Sequence, residues 1–217
     1  YSYLNETLGL EDYEAFLHEP ATAARFDNLI AYEGRATKSI ALSLAVFSAF
    51  AEGVSLYSAF SVLYSFQLRN LLKGVGQQMK WSVRDESLHS KMGCQLFRQM
   101  CAEDDTLFEH CREGVITAAE AMVTLEMSYI DKMFEAGDIE GIAAEDLKNF
   151  IKKRTNEKLV ELGYLDLGNY FAYVADSASK LDWFYHLTGG VTHTDFFAIR
   201  PTDYSKANEG EDFEDIW

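Results

Sequence analysis

Between Pro20 and Pro201 the chain runs for 180 residues without a proline. Proline breaks helices, because it lacks an N–H and clashes with the preceding turn. A chain this long without it is free to build long helices. Inside that stretch, from Ser39 to Leu68, one formally charged side chain occurs: Glu52, in SAFAEGVSLYSAF. The surrounding residues are Ala, Leu, Ser, Val, Phe and Tyr, apolar almost all round. They predict a helix from about Ala36 to Leu72, either buried on every side or spanning a membrane. Serine recurs at positions 39, 43, 48, 55, 58, 61 and 65, no second span exists, and no basic cluster flanks the run. The central helix of a soluble bundle is therefore favoured. An ionised carboxylate alone in a core is strongly disfavoured, so Glu52 needs a partner.

Other helices follow from the pattern. The two glycines of LLKGVGQ (71–77) predict a break, with a second helix from about Gln77 to Ala102. AEDD marks its end, and a third helix is expected from about Thr106 to Phe134, carrying Glu120 and Glu126. After the turn AGDIEG (136–141) comes a fourth, from about Ala143 to Leu162. GYLDLGNY reads as a connector and 170–190 as helix again. Residues 1–37 read as short helices and turns, with LEDYEAFLHEP ending at Pro20. Strand patterns are nearly absent. The fold class expected is an all-α helical bundle with an irregular acidic tail beyond Thr192.

Composition narrows the function. A hydrophobic fraction of 48% supports a sizeable core. A net charge of −16 argues against binding nucleic acid, which needs clustered Lys and Arg. Cys94, Cys101 and Cys111 are an odd number with no CxxC, and read as reduced thiols of a cytosolic protein. Cys94 and Cys101 are seven apart, on one helical face, and suit core filling. No signal peptide is visible. The opening YSYLNETLGL lacks a Met and reads like the interior of a longer sequence, a fragment or a processed product.

The partner for Glu52 is found in WSVRDESLHS, where Glu86 and His89 stand three apart. An i, i+3 pair shares one helical face, so both side chains can reach one point. Glu-x-x-His is the di-metal signature of ferritin-like bundles, with a single Glu on a neighbouring helix completing each half. Glu52 and Glu86 are 34 positions apart, and their midpoint is Arg69, beside the expected turn. In an antiparallel hairpin each would lie about 25 Å from the turn, at one level. Carboxylates plus imidazole suit iron or manganese. His18, His110, His186 and His193 have no such context and read as surface or core residues.

WSVRDESLH, the Glu 34 residues upstream, and FFAIRPTDYSKA followed by an acidic, aromatic-ended tail together resemble the small, radical-generating subunit of class I ribonucleotide reductase. The resemblance covers essentially all 217 residues, but the first part of the usual subunit is missing. It implies a partial ferritin-like bundle over 1–192, incomplete at its N-terminus, and a flexible tail over 193–217. By that resemblance Glu52, Glu86 and His89 are metal ligands, with Glu86 bridging two iron or manganese ions. The centre activates O2 and oxidises a nearby tyrosine, for which Tyr1 is the best match and Tyr3 a weaker one. Arg84 and Asp85 resemble a polar relay to the surface, and Tyr57 lines the pocket. Tyr204 resembles the tail tyrosine that passes the radical to the large subunit. EGEDFEDIW resembles a docking peptide for that subunit, with Phe213, Ile216 and Trp217 as anchors. A homodimer is expected, and reduction of ribonucleotides to deoxyribonucleotides is the implied reaction.

Two departures qualify the match. The family usually has Glu six residues before the tail tyrosine, and here that residue is Ala198, with Asp203 the nearby acid. The upstream Asp and first ExxH are also missing, so three ligands stand where about six are needed. A separate chain supplying the N-terminal half site is therefore an expected partner. The competing readings are another ferritin-like di-metal oxidase, or a non-catalytic helical remnant that only complements another chain.

Overall fold

The computed structural model describes Gly9, residues 18–32 and residues 36–184. The expected tail, 193–217, lies outside them. Among the described residues the fold is all-α, with one isolated bridge between Ile139 and Ile142 and no strand.

Helix α1 is Pro20–Ile30. Pro20 opens it, where a missing N–H costs nothing, and the Glu19 carboxylate caps it by accepting from the Thr22 N–H at 2.8 Å. The apolar run forms one rod in three parts: α2 (Thr37–Val46), a π-helical segment (Phe47–Ser55) and α3 (Tyr57–Leu68). It ends four residues before the expected Leu72. Asn70 and Leu72 then take left-handed φ values of 63° and 45° and reverse the chain.

Helix α4 (Lys73–Glu103) returns antiparallel to the rod, as the pairs Gln67–Gly76, Tyr57–Ser87, Gly53–Ser90 and Ser48–Gly93 show. It begins at Lys73, not Gln77. Gly76 does not break the helix; it makes room for the Gln67 side chain, which a Cβ there would strike. Helices α5 (Thr106–Met133) and α6 (Ala144–Glu161) fall within a residue of expectation at each end.

The helix expected over 170–190 forms only in pieces up to Phe184. Helix α7 (Ala175–Ser179) and residues 182–184 are helical, while 170–174 are not. The reason is that two side chains of α6 take the connector's backbone bonds. Asn156 pairs both ways with Phe171 at 2.9 Å, and the Val174 N–H donates to Asn149 Oδ1 at 2.8 Å.

The rod is long and apolar enough to cross a membrane, but it forms the centre of the bundle. Ala41, Ala45, Ala49, Phe50, Val54 and Tyr57 are fully buried. Two of its buried serines are satisfied locally: Ser61 and Ser65 donate to the carbonyls of Ser58 and Val62. The three cysteines are free and buried, as core thiols should be.

Candidate metal centre

Antiparallel packing brings Glu52, on the π segment, level with Glu86 and His89 on α4. One donor atom from each lies within 4.8 Å of the other two. His89 Nδ1 is 3.5 Å from Glu86 Oε2. The side chains run from half-buried Glu52 to His89, which is 57% exposed. Burial pushes the Glu52 carboxyl above the usual range, the Glu86 charge pushes it further, and His89 pulls it back. Two carboxylates crowd one imidazole, so the cluster is short of positive charge. A divalent cation would supply that charge, and oxygen and imidazole donors fit iron or manganese.

The π segment sets the direction of Glu52. Its bonds run i to i+5, a rare geometry often found at functional sites. Two arginines that sequence reasoning missed hold it from either side. Arg154, on α6, donates from Nε to the Gly53 carbonyl and lies over the Tyr57 ring, 3.4 Å from its centroid. Arg25, on α1, donates to the Ser55 carbonyl and, at 2.9 Å, to Ser55 Oγ. It also pairs with Glu126 at 2.6 Å and lies over the Tyr129 ring.

Glu126 is 1% exposed and accepts from Ser55 Oγ at 3.0 Å and Ser58 Oγ at 2.6 Å. Burial dominates and raises its carboxyl above the usual range, against the pull of Arg25 and both serines. The signal for it was present: Glu126 is a lone acid in the apolar stretch VTLEMSYI. Nothing in the sequence marks Arg25 or Arg154. Glu120 is exposed and accepts from the Tyr170 hydroxyl at 2.5 Å.

The other expected site residues are scattered. Tyr57 is fully buried, and its hydroxyl bonds Ser87 Oγ at 2.6 Å, beside Glu86. Asp85 is exposed and Arg84 partly buried, with an Nε that has no hydrogen-bond partner among the described residues. His18 and His110 are exposed, as expected. Tyr1, Tyr3, His186, His193, Ala198, Asp203, Tyr204 and the anchors Phe213, Ile216 and Trp217 lie outside the described residues.

Residues 1–170 match the family model described as ribonucleotide reductase, small chain. The chain belongs to the ribonucleotide reductase small-chain family. A probable ribonucleoside-diphosphate reductase small subunit of Invertebrate iridescent virus 3 is 35% identical over 96% of the chain and 59% of its own length. Its counterpart in Invertebrate iridescent virus 6 is 30% identical over 100% of the chain and 70% of its own length. A putative class I ribonucleotide reductase from Bacillus halodurans shares the fold, with a TM-score of 0.71 and 21% identity over 86% of this chain and 68% of that one. This small-chain relative thus spans 59% of the first viral protein.

Proposed function

We propose that this chain is part of the small subunit of a class I ribonucleoside-diphosphate reductase and holds half of its dinuclear metal centre. The observation that carries the reading is the convergence of Glu52, Glu86 and His89 donor atoms within 4.8 Å. Glu52, Glu86 and His89 would together hold the metal of this half, with Glu86 the ligand that would be shared between the two ions. Bound there, an iron or manganese pair supplies the O2 activation that oxidises a nearby tyrosine, for which Tyr1 is the candidate.

The remaining donors, an Asp and an upstream ExxH, come from a further polypeptide segment, in the same protein or in another chain. The apolar face of α4 supports this. Trp81, Leu88, Met92 and Leu96 are each between 45% and 61% exposed there, on the side bordered by His89. Arg84 and Asp85 lead from the ligands toward the surface, Tyr204 carries the radical onward, and the tail docks the large subunit. The protein works as a homodimer in the cytoplasm.

The test is metal content after anaerobic Fe(II) or Mn(II) loading, with and without a chain supplying the upstream segment. Two metals per site only with that segment, and none in Glu86→Ala, is the expected result. Two metals on this chain alone, or none in either case, would overturn the half-site.

A further inference from the structure

We propose that Arg25 and Arg154 are positioning residues that clamp the π segment and keep Glu52 in register with Glu86 and His89. The proposal rests on reading Glu52 as a ligand. It goes further in naming what holds that ligand, and no property of the metal itself enters it.

A π segment holds one more residue per stretch of rod than an α-helix would. Relaxing it to α geometry shifts the register by one residue, which rotates what lies beyond by about 100°. Glu52 sits inside the segment, so such a shift would swing its carboxylate away from α4. The segment persists only if its backbone groups are satisfied where the hydrogen-bond ladder changes from i+5 to i+4. Its carbonyls at Gly53 and Ser55 accept from Arg154 and Arg25. Gly53 is the next residue after Glu52.

The clamps come from two helices, α6 and α1, far apart in sequence. Both guanidinium groups are themselves fixed. Arg154 is 7% exposed and stacked on Tyr57. Arg25 is tied to Glu126 and stacked on Tyr129. Ser55 joins the arrangement through its side chain, which accepts from Arg25 and donates to Glu126. A lysine can keep the charge at either position. It cannot keep the flat fork that bonds a carbonyl while stacking on a ring. Charge alone is therefore insufficient, and the conservative substitution is informative.

The experiment uses the full 217-residue chain as wild type, Arg25→Lys, Arg154→Lys and Glu86→Ala. Hydrogen exchange is followed without metal, comparing amides of residues 47–58 with those of α5. Losing a charge-assisted bond should speed exchange in the segment by about tenfold or more, with α5 changed by less than about twofold. A Co(II) titration of the same proteins, with a chain supplying the upstream segment present, should show affinity falling by about tenfold in both lysine variants, with no site in Glu86→Ala.

Unchanged exchange in the segment, or an equal rise in α5, would overturn the clamp; the latter is general destabilisation. Should Arg154→Lys fail to fold, Arg25→Lys decides alone. Faster exchange confined to the segment, in a wild type that binds no Co(II) even with that upstream chain, supports the clamp and overturns only the metal reading.

Discussion

A Cβ atom on Gly93 would overlap the side chain of Ser48, so α4 and the π segment approach with almost nothing between their backbones. A second close approach lies at Gly53, where a Cβ would sit 2.6 Å from Ser90 Oγ and 2.8 Å from Lys158 Cε. Both lie within a turn or so of Glu52 or His89. Glutamate and histidine side chains are short, and they meet across two helices only because the helices are this close.

Gly93→Ala should accordingly separate α4 from the rod. Overpacking of this kind costs about 1–3 kcal/mol. Ser48→Gly in the Gly93→Ala background should recover most of that loss, since Ser48 is the atom group struck. Urea unfolding of the four proteins of the double-mutant cycle measures it, and strictly additive losses would refute direct contact as the cause.

The Arg25–Glu126 pair should be costly to break and cheap to replace. Removing one partner leaves a buried charge, so Arg25→Met or Glu126→Leu alone should cost about 3–5 kcal/mol. The double variant Arg25→Met with Glu126→Leu should regain most of this. The pH dependence follows from the sign of the shift. Burial raises the Glu126 carboxyl above its ordinary 4.5, so the folded chain binds that proton more tightly than the unfolded chain. Its contribution to stability is fully present below 4.5 and is lost as pH rises through the raised value. Denaturant midpoints across that window should fall with pH in the wild type and fall less in Glu126→Gln.

The cysteines give a simpler test. Burial pushes the Cys94 thiol up to about 12 and the Cys101 thiol up to about 11. Only the thiolate attacks disulfide reagents. In the native chain at pH 8, an aromatic disulfide reagent should leave Cys94 and Cys101 unlabelled over minutes, while in denaturant all three cysteines should react at once. Fast native labelling of Cys94 would mean that α4 opens readily from α6.

The convergence of Glu52, Glu86 and His89 was legible because its signals are local or nearly so. A lone charge in an apolar helix demands a partner, and i, i+3 spacing fixes which side chains share a face. Equal distance from the Arg69 turn then set Glu52 against Glu86. The ends of α5 and α6 were legible for similar reasons, in AEDD and AGDIEG. The π segment was not. The same residues fit α and π geometry, and what separates them here is donors lying 30 and 101 positions away, Arg25 and Arg154. Gly76 misled because a glycine that admits a neighbour looks, in sequence, like one that breaks a helix. The stretch after 170 misled because Asn149 and Asn156 capture backbone groups that an isolated segment would bond within itself.

Glu52→Gln separates a ligand from a structural anchor. Without metal, Glu52 faces Glu86 in a half-buried site, and burial and that charge both disfavour its ionised form. Solvent on the open side screens the repulsion, which limits it to about 1 kcal/mol. Replacing the carboxylate by an amide should then raise the metal-free Tm at pH 7 by about 2 °C, the shift such an energy gives in a domain of this size. Saturating Mn(II), with the completing segment present, should raise the Tm of the wild type, because a ligand that binds only the folded state stabilises it. The variant, with one donor fewer, should gain little. The two effects have opposite signs, and scanning calorimetry with and without Mn(II) reads both. A variant less stable than the wild type without metal would show that Glu52 anchors the fold.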